Sequence, residues 1–247
     1  MPFFSKKKNI KFIPCIDEKE LSTMVSSIIC ESIKKNPNTV LGLSAGVSVG
    51  LLYDCLVRET KKQAIDFSDV TSFNTDEYID IDKRYQKYSK INFMRNHLFS
   101  RVNIKVDNTH FPTIDNYKSY DHDIQKVGGI DLLILSVGPN GYIGFNEPNT
   151  KFNSVTHQGD LDNSTRTYLM NFFDEKINVP HRVVTMGIKT ILQAKKIILV
   201  AIGELKSAPI SKLFENKYSA VWPVTALLFH DDVTVYADIG ASKLMLK

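Results

Sequence analysis

Short apolar runs of strand length alternate along this chain with longer segments in which apolar residues recur at helical spacing. The strand-like runs are residues 9–13, 39–43, 70–73, 130–137, 196–202 and 233–236, and the helix-like segments are residues 18–35, 47–60, 88–99, 185–193 and a last one that ends near residue 216. Such alternation is typical of a mostly parallel sheet covered by helices on both faces. The sequence therefore predicts an α/β fold, a three-layer αβα sandwich around an open sheet.

Composition narrows the class of protein. The 247 residues are 43% hydrophobic and 23% charged, which is ordinary for a globular chain and argues against disorder or a fibre. This length lies within the range of one α/β domain, so we expect a single domain over residues 1–247. The net charge of +4 comes with scattered lysines, which favours a solvated surface over a nucleic-acid interface.

The sequence also predicts where the protein works. Cys15, Cys30 and Cys55 are an odd set without a C-x-x-C pair, and the first residues lack the apolar core of a secretory signal. No apolar run approaches the roughly 18 residues needed to cross a bilayer. We therefore expect a reduced, cytoplasmic protein with no membrane partner.

The first candidate for a binding site is the turn Ser44-Ala45-Gly46, which joins the run at residues 39–43 to a helical segment. A strand, a tight turn and a helix in this order aim free backbone N–H groups and the positive end of the helix dipole at one point, where an anion such as phosphate can bind. On these residues alone, a glycine that simply permits a tight connection is an equally good interpretation.

Acidic side chains follow the next strand-like run. Asp76 and Glu77 come shortly after residues 70–73. In open α/β sheets, ligands bind outside the carboxyl ends of the strands, so an acid at this place faces the crevice rather than the core. The alternative is an acid that caps the helix that follows.

Two further segments combine a strand end with glycine. The run at residues 130–137 leads into a loop at residues 138–148 with three glycines, two prolines and several polar side chains, which favours a site over a bare connection. Gly203-Glu204-Leu205-Lys206 follows the run at residues 196–202. Lys206 would stand in the first turn of a helix, where the dipole disfavours a cation, so an anionic partner would explain it. A solvated lysine is the alternative.

Three of these segments together resemble the motifs of glucosamine-6-phosphate deaminases. They are Phe73-Asn74-Thr75-Asp76-Glu77-Tyr78, Gly138-Pro139-Asn140-Gly141-Tyr142-Ile143-Gly144-Phe145-Asn146-Glu147-Pro148 and Gly203-Glu204-Leu205-Lys206. They are similar, in order and spacing, to the family motifs F-N-x-D-E-Y, G-x-N/D-G-H-I-G/A-F-N-E-P and G-x-x-K. The likeness covers most of the chain between residues 40 and 210, and it implies the Rossmann-like αβα sandwich of that family.

The resemblance also implies an activity, the conversion of glucosamine 6-phosphate and water to fructose 6-phosphate and ammonia, without a metal or an organic cofactor. The implied catalytic residues are Asp76, Asn140, Tyr142 and Glu147. The implied phosphate-binding residues are Ser44, Gly46, Ser48 and Lys206. Among them Asp76 would be the base at C2, and the other three catalytic positions would serve ring opening. The expected partner is a small sugar phosphate, bound by a monomer or a homo-oligomer.

Three positions depart from the family pattern. Tyr142 stands where the family has its ring-opening histidine, and a phenol with an ordinary pKa of about 10 is a poor base at neutral pH. Val47 replaces a glycine of the phosphate turn, where the backbone needs to approach a phosphate closely or to take positive φ. Asn171 replaces an arginine ahead of an aromatic pair, so a bidentate contact with phosphate is lost unless Arg166 substitutes for it.

These departures leave three functions open. They are an active or weakened deaminase, a non-catalytic protein that binds a sugar phosphate, and a 6-phosphogluconolactonase, a relative with the same architecture. The lactonase is the least favoured, because it also needs the missing histidine and because Phe145-Asn146-Glu147-Pro148 resembles the deaminase loop better. The six histidines show no metal-ligand spacing, so we expect no metal site.

Overall fold

The computed structural model describes residues 10–79, 81–173 and 179–245. Its strands are β1 Lys11–Pro14, β2 Val40–Leu43, β3 Thr71–Asn74, β4 Asp76–Tyr78, β5 Thr109–His110, β6 Leu132–Ser136, β7 His157–Asp160, β8 Arg182–Thr185, β9 Ile197–Ala201 and β10 Val233–Ala237. Seven of them form one sheet in the order β1-β10-β9-β6-β2-β3-β5, and every neighbouring pair is parallel. The predicted parallel sheet is confirmed.

The helices connect these strands. They are α1 Glu18–Lys35, α2 Val47–Gln63, α3 Lys90–His97, α4 Tyr117–Lys126, α5 Asn163–Leu169, α6 Ile188–Leu192, α7 Ser207–Phe214 and α8 Ile239–Ser242. The limits of α1 follow from its ends, since the Asp17 side chain accepts from the amide of Glu20 at 2.8 Å and lysines occupy the last turn. Along the described ranges, none of these helices is both long and apolar enough to cross a membrane.

The central strands bury both of their faces. Leu132 and Ile134 of β6 belong to a hydrophobic cluster with residues of α1, α2 and α3. Leu133 and Leu135, which point the other way, belong to a second cluster with residues of α4, α6, α7 and α8. Strands covered on both sides carry continuous apolar runs, which is the pattern in the sequence. The three-layer αβα sandwich is therefore confirmed.

A second, antiparallel sheet of β4, β8 and β7 was not predicted. No strand was predicted at residues 76–78, and the expectation of a helix that begins at Thr185 is wrong. Residues 76–78 are β4, Thr185 ends β8, and α6 begins only at Ile188. Strands of three or four residues that pair with distant segments carry too short a pattern to be recognised.

The other predicted limits of helices and strands agree with those of the structure to within a few residues. Helix α1 spans the predicted residues, α2 runs to Gln63 rather than to residue 60, and α3 begins at Lys90 after the 3₁₀ turn Lys83–Tyr88. Residue 9 of the first predicted strand lies outside the described residues. The elements β5, α4, β7 and α5 were missed, and the last strand, β10, lies inside the sheet between β1 and β9.

The direction of the connections changes between β2 and β6. After β2 the chain continues to β3 and β5 on one side, and after β6 it continues to β9 and β10 on the other. The loops that follow two such strands diverge and leave a crevice at the carboxyl edge of the sheet. The turn at residues 44–48 and the loop at residues 138–148 follow these two strands, so the fold brings together two of the predicted site segments.

Candidate active site

The turn after β2 is held at this switch point by hydrogen bonds to the neighbouring strands. The amide of Ser44 donates to the carbonyl of Ile134 at 3.0 Å. The buried hydroxyl of Ser44 accepts from the amide of Ser136 and from Oγ1 of Thr75, both at 3.4 Å. Ser44 lines the cavity described below, and its hydroxyl also ties β2 to β6 and β3.

Helix α2 begins at the same turn. Gly46 is its N-cap, with a φ of 156°, and Val47 and Ser48 are its first two residues. The first N–H groups of a helix have no partner within the helix, and the helix dipole adds positive potential there. The positive φ falls on Gly46 while Val47 is helical, so the expectation of a positive φ at Val47 is wrong, and the expectation of a close approach to phosphate stays a prediction. The Val47 side chain is 57% exposed and forms part of the cavity wall.

Asp76 lies beside this turn because β4 directly follows β3. Its side chain is 5% exposed, and Oδ2 accepts a hydrogen bond of 2.6 Å from Oγ1 of Thr75. Burial raises the pKa of Asp76, while the charge of Lys90 and the bond from Thr75 oppose the rise. A buried carboxylate of raised pKa in a cavity is suited to general-base chemistry.

The neighbouring acid, Glu77, has a different role. Its carboxylate accepts from the amides of Lys90 at 3.0 Å and Ile91 at 2.9 Å, which are the first N–H groups of α3, and from the amide of Tyr78 at 2.7 Å. The helix-capping alternative therefore applies to Glu77, and Asp76 is the acid that lines the cavity.

Lys90 is a site residue that the sequence analysis missed. It is 7% exposed, its Nζ donates to the carbonyl of Ala45 at 3.0 Å, and Nζ lies 4.9 Å from the centroid of the Tyr78 ring. One signal was present in the sequence, a lysine at the start of a helical segment, where the helix dipole disfavours a cation. The sequence analysis used the same argument to identify Lys206 as a candidate site residue.

The loop at residues 138–148 is held in one conformation by close contacts. A Cβ on Gly138 would lie 2.1 Å from the ring of Tyr142, so glycine is required for Tyr142 to fold over this position. Oγ1 of Thr185, at the end of β8, accepts from the amide of Phe145 at 2.9 Å. The small sheet therefore fixes the loop, and the rings of Tyr142 and Phe145 face the cavity.

The hydroxyl of Tyr142 is neutral at physiological pH. Its side chain is 8% exposed, and burial raises the pKa of Tyr142 well above its ordinary value, with the neighbouring Tyr168, Tyr78 and Glu147 adding to the rise. A neutral phenol can donate a proton but is a poor acceptor of one.

Asn140 and Glu147 form a pair behind the cavity wall. Nδ2 of Asn140 donates to Oε2 of Glu147 at 2.9 Å, and Oδ1 of Asn140 accepts from the amide of Tyr142 at 3.2 Å. Burial raises the pKa of Glu147, while hydrogen bonds from Thr165 and Asn140 oppose the rise. Neither Asn140 nor Glu147 is among the described residues that line the cavity. The pair is connected to the cavity through Tyr142, whose amide donates to Asn140 and whose ring lines the cavity.

Lys206 ends the 3₁₀ turn Glu204–Lys206, just before α7, rather than standing inside the first turn of a helix. It is 3% exposed, its Nζ donates to the hydroxyl of Tyr168 at 3.3 Å, and Nζ lies 4.5 Å from the centroid of that ring. Burial lowers the pKa of Lys206 to about 8. The alternative of a solvated lysine is therefore wrong.

Neither candidate at the family's arginine position reaches the cavity. Asn171 is exposed, and its Nδ2 donates to the carbonyl of Tyr168 at 3.0 Å. Arg166 donates from Nη2 to the carbonyl of Val179 at 3.4 Å and is not among the described residues of the cavity lining. Arg166 therefore does not take the place of the arginine.

These segments enclose one cavity of about 180 Å³ at the carboxyl edge of the sheet. Six predicted site residues line it, namely Ser44, Gly46, Ser48, Asp76, Tyr142 and Lys206. Its lining also includes residues that were not predicted, namely Tyr78, Lys87, Lys90 and Tyr168. Within the described ranges, His, Cys, Asp and Glu form no group of three or more that could hold a metal ion. Three lysines against one carboxylate make the described lining positive, which suits an anionic ligand.

The fold and the cavity are those of an α/β protein with a positively lined crevice at the switch point of a parallel sheet. A family profile described as Glucosamine-6-phosphate isomerases/6-phosphogluconolactonase matches residues 18–236. The glucosamine-6-phosphate deaminase of Malacoplasma penetrans (strain HF-2) is 42% identical over 237 residues, and the match covers 92% of this chain and 98% of that relative. The chain therefore belongs to the family of glucosamine-6-phosphate isomerases and 6-phosphogluconolactonases.

Solved structures agree with this assignment. A monomeric glucosamine-6-phosphate deaminase is 33% identical, with a TM-score of 0.92 over 95% of this chain and 100% of that chain. The 6-phosphogluconolactonase from Trypanosoma cruzi is 18% identical, with a TM-score of 0.74 over 96% of this chain and 97% of that chain, and it shares the fold. The predicted membership in the glucosamine-6-phosphate deaminase family, and with it an enzyme, is confirmed.

Proposed function

We propose that this protein converts glucosamine 6-phosphate and water to fructose 6-phosphate and ammonia. The observation that carries the proposal is the buried carboxylate of Asp76 in the same cavity as the N-terminus of α2 and Lys206. This combination provides a base that can remove a proton from a carbon atom, together with groups that can bind phosphate. The deaminase names of relatives at 42% and 33% identity support the choice of substrate.

The phosphate would bind at the start of α2. The N–H groups of Val47 and Ser48 and the hydroxyl of Ser48 would donate to its oxygens, and the ammonium of Lys206 would add a charge-assisted hydrogen bond. Tyr168 holds Lys206 in place through its hydroxyl and its ring.

Ring opening is the first chemical step. A proton must reach the ring oxygen, and the anomeric hydroxyl must lose one. The hydroxyl of Tyr142 would donate the first proton as a neutral phenol and become a phenolate, and the anomeric hydroxyl would return its proton to that phenolate through water. The pair of Asn140 and Glu147 fixes the Tyr142 backbone and keeps a carboxylate nearby. Because a phenol is a weak acid and a poorer base than imidazole, we expect ring opening to be slow.

Asp76 would then move a proton from C2 to C1. The C2–H bond breaks, its electron pair forms a C1–C2 double bond, and negative charge develops on the C1 oxygen, which takes a proton from water. Return of the proton from Asp76 to C1 leaves an iminium ion at C2, which gives a proton back to the hydroxide and becomes an imine. Water hydrolyses this imine to the ketone and ammonia, which completes the reaction.

Ammonia release from glucosamine 6-phosphate tests the proposal. We expect the wild type to release ammonia slowly and Tyr142→His to raise the rate by roughly 10² to 10⁴-fold, the usual contribution of a general acid/base group. Tyr117→His, on α4 and outside the cavity lining, is the matched control and should leave the rate unchanged.

Absence of ammonia from both the wild type and Tyr142→His at high enzyme concentration would contradict the proposal. Calorimetry that then detects sugar-phosphate binding without turnover would identify a non-catalytic binding protein. Hydrolysis of 6-phosphogluconolactone above the buffer rate would identify a lactonase, and we expect none.

We further propose that the chain works as a single cytoplasmic domain without a cofactor. Cys15, Cys30 and Cys55 are free and buried, which suits a reduced compartment. A solved relative at 33% identity is described as monomeric. The molar mass measured by light scattering should therefore first be compared with that of one chain, 28.0 kDa.

A further inference from the structure

Lys90 is a buried cation that the proposed reaction has not yet used. It is the first residue of α3, is 7% exposed and lines the cavity. Its ammonium donates to the carbonyl of Ala45 at 3.0 Å and lies over two rings, with centroids 4.9 Å away for Tyr78 and 5.2 Å away for Phe145. An ammonium has three N–H donors, and the Ala45 carbonyl and the Tyr78 hydroxyl take two of them, so one is left for a ligand oxygen.

A purely structural role explains this lysine poorly. The positive end of the α3 dipole disfavours a cation at the first helical residue, and burial of an ammonium is unfavourable without good partners. The start of α3 is already capped, because the Glu77 carboxylate accepts from the amides of Lys90 and Ile91. The side chain of Lys90 is therefore not needed to hold the helix in place.

The surroundings keep this amine charged. Burial alone would lower the pKa of Lys90, but the neighbouring Tyr78, Asp76 and Glu77 outweigh it and the pKa is raised. The effect is mutual, since the charge of Lys90 opposes the rise in the pKa of Asp76. Lys90 and the candidate base thus form an ammonium and a carboxylate within electrostatic range of each other in one cavity.

Lys90 also adjoins the phosphate turn without belonging to it. Its Nζ would lie 3.9 Å from a Cβ on Gly46, the N-cap of α2. The same Nζ donates a hydrogen bond to the carbonyl of Ala45, the residue before Gly46. The ammonium therefore lies near the start of the phosphate site while it acts electrostatically on Asp76. Because C1 is bonded to C2, a substrate that presents C2 to Asp76 would place its C1 oxygen among the groups around Asp76, and Lys90 is the cation whose charge acts on that carboxylate.

We propose that Lys90 is a further catalytic residue whose ammonium binds the C1 oxygen of the open-chain sugar and stabilises the charge that forms there. This role rests on the proposed function. When Asp76 takes the C2 proton, the electron pair of the C2–H bond moves into the C1–C2 bond and the carbonyl pair moves onto the C1 oxygen. The ammonium faces that charge without itself being consumed, and donors of this kind act mainly on the transition state.

Replacement of Lys90 by methionine removes the charge and keeps the length of the side chain. We expect kcat for ammonia release to fall by about 10² to 10³-fold, the usual loss for one oxyanion donor, with a much smaller change in KM. Lys206→Met, at the proposed phosphate site, is the comparison variant and should mainly raise KM. Thermal unfolding of each variant checks that it folds, and Lys90→Gln replaces Lys90→Met if the latter does not.

A binding measurement separates this proposal from the proposed function. The two probes are arabinitol 5-phosphate and the hydroxamate of arabinonic acid 5-phosphate, which share a phosphate, but only the hydroxamate places anionic character at the reacting end. By calorimetry, Lys90→Met should lose about 10-fold or more of the preference for the hydroxamate, while Lys206→Met weakens both probes and keeps the preference.

The outcomes are distinct. A preference that depends on Lys90 in a protein that releases no ammonia would sink the deaminase proposal and keep the assignment of Lys90. An equal loss for both probes in Lys90→Met would make Lys90 a phosphate ligand and overturn the assignment, as would an unchanged preference or a change confined to KM.

Discussion

The two sides of the cavity obtain their functional groups in different ways. On the proposed binding side, here called the binding side, which comprises residues 44–48, Asp76 and Lys206, the groups follow from where strands end and where α2 begins. On the proposed ring-opening side, here called the ring-opening side, only Tyr142 of Asn140, Tyr142 and Glu147 lines the cavity, and the other two lie behind it.

Because of this difference, we expect the substitutions on the two sides to have unequal consequences. Val47 should be tolerated, because the N–H groups at the start of a helix come from the backbone and Gly46 carries the positive φ. Tyr142 has no such substitute, since proton transfer depends on the side chain and its pKa. We therefore expect the helix start on the binding side to work without the arginine contact that Asn171 cannot supply, and the ring-opening side to limit the rate.

The largest effect is expected for Asp76, the proposed general base on the binding side. Asp76→Asn keeps the shape of the side chain but cannot accept the C2 proton, so kcat for ammonia release should fall by roughly 10² to 10⁴-fold while binding of fructose 6-phosphate changes little. Asp115→Asn, at an exposed aspartate, is the matched control and should leave both unchanged. A variant at Asp76 with near wild-type kcat would remove it as the base.

Stability measurements on Asp76→Asn have a defined sign. Because burial raises the pKa of Asp76 in the folded state, its contribution to stability is fully present below the unfolded pKa and is lost as pH rises through the folded value. Relative to wild type, Asp76→Asn should therefore gain stability in urea unfolding as pH rises above the ordinary aspartate pKa of about 4. A constant difference would show that the carboxylate is not desolvated.

The next effect tests the phosphate contact. Lys206→Met should raise KM by about 10 to 100-fold through loss of a charge-assisted hydrogen bond, with a smaller change in kcat. Lys212→Met, which removes an exposed lysine of α7 that pairs with Glu215, should change neither parameter. An unchanged KM in Lys206→Met would mean that the phosphate binds elsewhere.

The pH dependence of kcat/KM sharpens the same test. Burial lowers the pKa of Lys206 to about 8, so its amine loses its charge, and its hold on phosphate, as pH rises above that value. In the wild type we expect kcat/KM to decline as pH rises above about 8. Lys206→Arg, which stays charged, should remove the decline if the larger guanidinium is accommodated, as checked by its KM at neutral pH.

The sequence could predict the parts of this site that depend on strand ends. The apolar runs at residues 39–43 and 130–137 are long enough to mark central strands, and the segments that follow them meet because parallel strands end at one edge. Asp76 and Lys206 were found for the same reason. The resemblance to deaminase motifs then gave their roles, of which the base and the phosphate contact stay predictions.

The parts that escaped prediction depend on tertiary contacts. The small sheet pairs Asp76 with Thr185 and Tyr78 with Val183, more than a hundred residues apart, and no local pattern encodes such a pairing. Lys90 stands on a helix whose position is set by the Glu77 carboxylate, so its approach to the cavity follows from one long-range hydrogen-bonded cap. The placement of Glu147 behind Tyr142 likewise depends on its bonds with Asn140 and Asp162.

The smallest expected effect concerns the support of the ring-opening side. In Gly138→Ala the new Cβ would lie 2.1 Å from the ring of Tyr142, so the ring must move and the protein should lose about 1–3 kcal/mol of stability. For a chain of this size, that loss lowers the Tm by about 2–4 °C per kcal/mol in a thermal unfolding experiment. Ammonia release should fall as well, because the hydroxyl of Tyr142 is displaced from the cavity.

Gly159→Ala in β7 is the matched control, since a Cβ there would meet no atom closer than 3.8 Å and we expect little change in Tm. Binding of fructose 6-phosphate, which tests the other side of the cavity, should be nearly the same in both variants. If Gly138→Ala instead weakened this binding as much as it slowed ammonia release, the two sides would not be independent. The contrast between a backbone-built binding side and a ring-opening side that depends on Tyr142 would then fail.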